Sequence, residues 1–302
     1  MADLNKELWI SEIAEIFKSD NTFASVLQNY SEWVDNKYLH LPNAGTPSDL
    51  ISKNVSSFPV TGNTTRTDSS VDITMDTYYI NPIYLATPIE ELEYNYNKRV
   101  SVMSDSMNSL RQAAHDGMIL GMAQGATVYT GTGTARAAWN ASQTGNRSGI
   151  TFADIQKIHY LFNSQNIPAE GRYLLLPSEL IEDVISLSNF QYSYTLTNAA
   201  VIDGMIGKIA GFWVIQRDKV LVTTSGGTLK STQTFAASDC AAGLAFSTAT
   251  NVKAIGEIKI FEKLQDPNYY GDVISGYVRA VAANKYGTSS PKGVAILAEK
   301  TA

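Results

Sequence analysis

Between Ser101 and Gln124 apolar residues return at every third or fourth position: Met103, Met107, Leu110, Ala114 and Met118, with Gly121 on the same stripe. Asn108, Arg111, Gln112, His115 and Asp116 occupy much of the remaining surface. The run predicts a helix that is long by the standards of globular proteins, and any fold has to be built along it. The helix ends at Gly125 and gives way to a Gly/Thr/Ala-rich stretch with Gly131, Gly133, Gly145 and Gly149. No Lys-Ser/Thr follows these glycines, and they lack dinucleotide spacing after a strand. The stretch therefore reads as a flexible loop that binds no phosphate.

Around this rod the order of elements is unusual. Leu4, Leu8, Ile13, Ile16 and Phe17 have helical spacing behind a candidate cap at Asp3. Residues 19–51, with Pro42, Gly45 and Pro47, read as an extended arm with little regular structure. Val71, Ile73 and Met75 then alternate with Asp72, Thr74 and Asp76, a strand with one apolar and one acidic face. Val55, Phe58 and Val60 suggest its partner, with residues 61–70 as the tip of a ribbon that is marginal unless something packs on it. Pro82 and Pro88 read as turn signals before the long helix. Beyond the glycine-rich stretch, Thr151 and Asp154 form a capping box for a helix with Ile155, Ile158, Leu161 and Phe162 on its apolar face. Arg172–Leu176 reads as a short buried strand, and Pro177 falls in the first turn of a helix bearing Leu180, Ile181, Val184 and Ile185. Strands follow at Phe212–Gln216, Val252–Lys263, Ser275–Asn284 and, after Pro291, Val294–Leu297. The class is α+β.

Composition limits the function. The chain has 302 residues, 44% of them hydrophobic, enough for a sizeable core divided between two domains. Its net charge of -6, with no run of Lys or Arg, argues against gripping nucleic acid through phosphates. The single cysteine, Cys240, cannot form an intramolecular disulfide, which suits a reducing compartment, and lies in a small-residue stretch that favours a buried inert thiol. No signal pattern and no membrane-length apolar run is expected.

The search for chemistry finds no cofactor or metal motif. His40, His115 and His159 are scattered and lack ligand spacing. Glu90, Glu91 and Glu93 read as acidic residues favouring a helix start, and the methionine stripe as adaptable core. Gly171 suits a turn with positive φ. Arg172 reads either as a solvated strand-end arginine or as the partner of an acidic group on a neighbouring subunit. Gly207 and Gly211 read either as close backbone approaches or as ordinary turns.

Three stretches carry a family resemblance. Ile167-Pro168-Ala169-Glu170-Gly171-Arg172-Tyr173-Leu174-Leu175-Leu176-Pro177 resembles the helix, Gly-Arg turn, buried strand and proline-initiated helix of tailed-phage major capsid proteins of the Hong Kong 97 type. Gly204-Met205-Ile206-Gly207-Lys208-Ile209-Ala210-Gly211-Phe212-Trp213-Val214 resembles that family's glycine-punctuated turn and strand, and Gly287 to Ile296 its closing strand. The resemblance implies an N-terminal arm over 1–52, an extended β-ribbon loop over 53–87, and a peripheral domain with a spine helix over 88–176. It further implies an axial domain over 177–248 and return strands over 249–302.

By that resemblance the chain would be a non-enzymatic coat subunit without cofactors. It would assemble with itself as pentamers and hexamers into an icosahedral virion shell in a bacterial cytoplasm. The shell would enclose double-stranded DNA without reading its sequence, alongside portal, scaffold and cement proteins. Gly171, Arg172, Pro177, Gly207 and Gly211 would be its signature positions. Some family members cross-link a ribbon lysine to an asparagine; Lys53 lies near the ribbon base, but no motif supports the transfer. The competing readings are an encapsulin-type compartment shell, a tail-tube or other phage structural protein, and an enzyme.

Overall fold

The computed structural model describes residues 22–43, 68–85, 98–192, 205–268 and 271–302. The expected helix over 4–17, the strand through Val55, Phe58 and Val60, and Lys53, Pro88, Glu90, Glu91, Glu93 and Gly204 lie outside them. The described chain opens with helix α1 (Thr22–Val26), followed by β1 (Gln28–Asn29), β2 (Val34–Asp35), β3 (Tyr38–Asn43), β4 (Ser69–Thr74) and β5 (Asp76–Leu85). The long helix α2 (Lys98–Ala123) comes next, then β6 (Thr127–Thr130), β7 (Ala135–Ala137), β8 (Asn146–Ser148) and α3 (Phe152–Ser164). After these come β9 (Arg172–Leu176), α4 (Ser178–Ile185), β10 (Gln191–Tyr192), β11 (Met205–Ile209), β12 (Phe212–Gln216) and β13 (Leu221–Thr223). The remainder is β: β14 (Cys240–Ser247), β15 (Asn251–Asp266), β16 (Gly271–Asn284), β17 (Val294–Ala298) and β18 (Lys300–Thr301).

Helix α2, about 39 Å long at 1.5 Å per residue, is packed between two sheets. Its buried stripe of Met107, Leu110, Ala114, Met118 and Met122 meets Ile260, Ile274, Val278 and Ala280 of a four-stranded sheet, β1-β15-β16-β5. The same core takes in Leu175, Leu244, Phe246 and Ile296 of an eight-stranded sheet. His115, polar by pattern and expected on the surface, is fully buried, because the ring of Phe23 in α1 covers it edge-on at 5.8 Å. The helix pattern identifies the main stripe but cannot reveal that a second segment lies on the flank.

The eight-stranded sheet runs β10-β11-β12-β9-β14-β17-β6, with β13 added alongside β14. Both of its faces are covered, and this is why β9, β14 and β17 read as continuous apolar runs with no alternation. In β9, Leu175 faces α2 while Leu174 and Leu176 face a second core built on Ile155, Ile158 and Phe162 of α3 and Leu180, Ile181 and Val184 of α4. Thr151 caps α3 in a box closed by Asp154, as the sequence predicts. Pro177 is the N-cap of α4, with an extended ψ of 163°, one place before the first turn to which the sequence assigns it.

Two strand expectations are corrected. The described partner of β4 is β3, in antiparallel register Leu39↔Ile73 and Leu41↔Val71. A strand therefore runs through residues 38–43, where proline and glycine content predicts an irregular arm. Leu39 and Leu41 alternate with exposed His40 and Pro42, and their burial against Met75, Val252 and Val281 decides the conformation. Pro82 marks an edge and not a turn: it sits inside β5, the last strand of its sheet, where a missing N–H costs no ladder bond.

The glycine-rich stretch is not a flexible loop either. It folds as β7 and β8, joined by β18, and a Cβ on Gly131 would fall 2.5 Å from the Gly149 carbonyl oxygen.

Candidate assembly surfaces

Charged side chains that are neither exposed nor scattered hold the 131–150 excursion in place. Arg136 donates from Nε and Nη2 to the two carboxylate oxygens of Asp183, each at 2.8 Å, and from Nη2 to Glu299 Oε1 at 3.1 Å. Burial opposes the charge on Arg136, but these carboxylates hold its pKa above the ordinary arginine value. Burial pushes Glu299 upward, and the Ala241 N–H and Arg136 only partly offset it. Arg147 is fully buried and donates to four carbonyl oxygens, those of Ala237, Asp239, Thr144 and Asn146, at 2.9–3.2 Å. The result is a rigid block tying β8, the 237–239 turn and the end of β17 together. Sequence reading missed Arg136, Arg147, Asp183 and Glu299. Two arginines within a stretch of small residues were the available signal.

The five signature positions fall in two places. Arg172 is buried, not solvated. Its guanidinium donates to Asn163 Oδ1 at 2.9 Å, Ile167 O at 2.5 Å and Pro168 O at 2.8 Å, tying the turn after α3 to the last turn of that helix. Burial draws its pKa below the usual arginine value. Gly171, at φ 70°, makes the turn into it against the Thr248 hydroxyl. Gly211, at φ 84°, completes the β11–β12 hairpin turn, where an added Cβ would lie 3.9 Å from the His159 ring on α3. Gly207 is a close approach: a Cβ there would lie 2.2 Å from the Gln191 carbonyl oxygen. Pro177 stands at the opposite end of β9.

On the four-stranded sheet, the face turned away from α2 carries a row of aromatic rings. Tyr79 is opposite Tyr277 in register, with ring centroids 5.9 Å apart, and Phe261 follows at 6.1 Å from Tyr277. Tyr79 is 71% exposed and Phe261 54%. Contiguous exposed aromatic surface is characteristic of protein contacts, where rings supply area at small entropic cost. Trp139, 60% exposed beneath the Arg136 guanidinium, and Tyr160, 74% exposed, are separate from this row. Between β4, β5 and α2 lies a groove of about 910 Å³ bordered by Asp72, Asp76 and Asp116. Burial, then Asp76 and Asp116, pushes the Tyr78 hydroxyl up to about 12 at its floor.

Among the described residues no group of three His, Cys, Asp or Glu side chains could hold a metal ion, and no helix is long and apolar enough to cross a membrane. Cys240 is buried and free. His40 pairs with Asp72 at 2.7 Å on an exposed face, and His159 lies on α3.

A long helix packed between a four-stranded sheet and a larger mixed sheet is the Hong Kong 97-type capsid fold. The capsid of Ralstonia phage GP4 shares it with a TM-score of 0.64 over 92% of this chain and 87% of that one, at 10% identity. The capsid of cyanophage P-SCSP1u gives 0.56 over 90% and 86%, at 18% identity. A virus-like particle from Pyrococcus furiosus gives 0.51 over 97% and 99%, at 9% identity. No family model matches the sequence, and no curated protein resembles it in sequence.

Proposed function

We propose that this chain is the major capsid protein of a tailed phage, a coat subunit that builds an icosahedral shell around double-stranded DNA. The observation that carries the reading is the fold itself: it matches phage capsid subunits across about nine-tenths of both chains. The match runs over about nine-tenths of the chain, so the similarity is not confined to one common motif. The exposed aromatic row fits a subunit whose work is self-contact. In this reading the segments 1–52, 53–87, 88–176, 177–248 and 249–302 act as arm, ribbon loop, peripheral domain, axial domain and return strands. Gly171, Arg172, Pro177, Gly207 and Gly211 are fold-defining positions. Portal, scaffold and cement proteins would be the partners, and the host cytoplasm the place of assembly.

Negative-stain microscopy of the overexpressed protein, alone and with its neighbouring assembly genes, tests this. The expected result is closed shells or capsomers of uniform size. A strictly monomeric species under every condition would overturn the reading. A second reading, a protein compartment shell, is favoured by the end-to-end match to the Pyrococcus furiosus particle. Nuclease-resistant DNA inside particles made by the native source identifies the capsid, and protein cargo the compartment.

A further inference from the structure

On the solvent side of α2 the fold gathers positive charge that the sequence keeps more than a hundred positions apart. A pocket of about 300 Å³ is lined by Asn108, Arg111 and Gln112 from the helix and by Arg217, Asp218 and Lys219 from the turn after β12. Arg217 is committed elsewhere: it bonds Asp116 at 2.6 Å, and its guanidinium lies 5.8 Å over the Phe23 ring. Lys219, Asn108 and Gln112 are exposed and offer N–H donors. An excess of cations and amides with one carboxylate is a surface that selects anionic oxygen.

We propose that this pocket docks carboxylates of the chain's own N-terminal segment, residues 1–21. Three observations choose that occupant. The segment is acidic, with Asp3, Glu7, Glu12, Glu15 and Asp20 against Lys6 and Lys18. It joins the described body at α1, whose Phe23 lies directly beneath Arg217, one of the residues lining the pocket. Asp20 is three residues from Phe23, a reach of roughly 10 Å in extended chain. The tether keeps these carboxylates at high effective concentration, which an acidic partner in solution would have to overcome. The positive field is also felt nearby: after burial, Arg217 and Arg111 are among the causes that lower the pKa of His115. The docking requires no unpaired Arg111, since a guanidinium presents five N–H donors. It does not depend on the shell reading.

The test uses the full chain and a water-soluble carbodiimide, which joins a lysine amine to a carboxylate only where the two already touch. Expected is an amide between Lys219 and Glu12, Glu15 or Asp20, lost in 0.5 M salt. In a mixture of light and heavy isotope chains, both linked peptides should carry the same label. Lys219 left unlinked, or links that mix the labels as a neighbouring copy would, overturns the proposal. So does displacement of the link by equimolar duplex DNA, which would make nucleic acid the occupant. Independently, the double variant Arg111→Met/Lys219→Met should speed tryptic cleavage after Lys18 by roughly three- to ten-fold, without moving the thermal transition. Unchanged cleavage in a folded variant also overturns it; should the variant not fold, the cross-link in the unaltered chain decides alone.

Discussion

Arg172 shows how one side chain can fix the junction of two elements. Its guanidinium satisfies the carbonyl oxygens of Ile167 and Pro168, in the turn that follows α3, and the side-chain amide oxygen of Asn163 in the last turn of that helix. Replacing it with leucine keeps the bulk and strands those acceptors in a buried site. Arg172→Leu should lose about 2–4 kcal/mol in urea unfolding. A loss under 0.5 kcal/mol would show that water reaches the turn. His115 gives a pH signature. Burial first, then Arg217 and Arg111, lowers its pKa from 6.5 to about 4, against a partly compensating bond to the Arg111 carbonyl. Above pH 6.5 both folded and unfolded chains hold it neutral, and stability is complete. As pH falls from 6.5 toward 4 the unfolded chain takes up the proton first, so stability declines by about 3 kcal/mol in total. His115→Gln should flatten that part of the stability profile, measured by denaturant titration from pH 7 to 4. A profile of unchanged slope would assign the acid sensitivity to other groups.

At the scale of elements, α2 is held from both sides. A Cβ on Gly121 would lie 2.5 Å from the carbonyl oxygen of Ala282 in β16, so helix and strand meet backbone to backbone. Alanine at an exposed helix site would stabilise by about 1 kcal/mol; here Gly121→Ala should instead destabilise by roughly 1–3 kcal/mol, because a strand cannot withdraw as a side chain can. Differential scanning calorimetry reads the sign directly. Leu110→Asp should abolish soluble protein while Gln112→Glu does little, since the first is buried and the second exposed. Helices α2 and α3 and strand β9 were legible in the sequence because long apolar stripes, a capping box and an unbroken apolar run each have one structural solution. Strand β3 was not: Pro42 and its neighbours argue locally for an arm, and only burial of Leu39 and Leu41 against distant β15 and β16 overrides them. The Arg136–Asp183–Glu299 block was equally hidden, since its members span 163 positions and no local pattern joins them. The aromatic row was legible only in part: tyrosines such as Tyr78, Tyr79 and Tyr84 suit subunit contacts, but nothing local groups Tyr79 with Tyr277 and Phe261. Alternation in β5 and β16 marks two faces but cannot say which one α2 will cover.

For the whole molecule, that uncovered face is where assembly can be tested without disturbing the fold. Tyr79→Ser with Phe261→Ser removes exposed rings from the open face, so the thermal transition of the free subunit should move by no more than a few degrees. Shell yield, followed by light scattering, should fall at least ten-fold if the row is a subunit contact. Full yield from this variant would place the contacts elsewhere, with Trp139 and Tyr160 the next exposed rings to examine.

Strand β17 sits in the interior of the eight-stranded sheet, hydrogen-bonded to β14 on one side and to β6, more than 160 positions earlier, on the other. During synthesis, β6 therefore waits for its neighbour until Val294–Ala298 has left the ribosome. A nascent chain stopped short of that point has a divided sheet and an unfinished α2 core. Removing Val294–Ala298 would therefore leave β6 without its neighbour and open the core on α2.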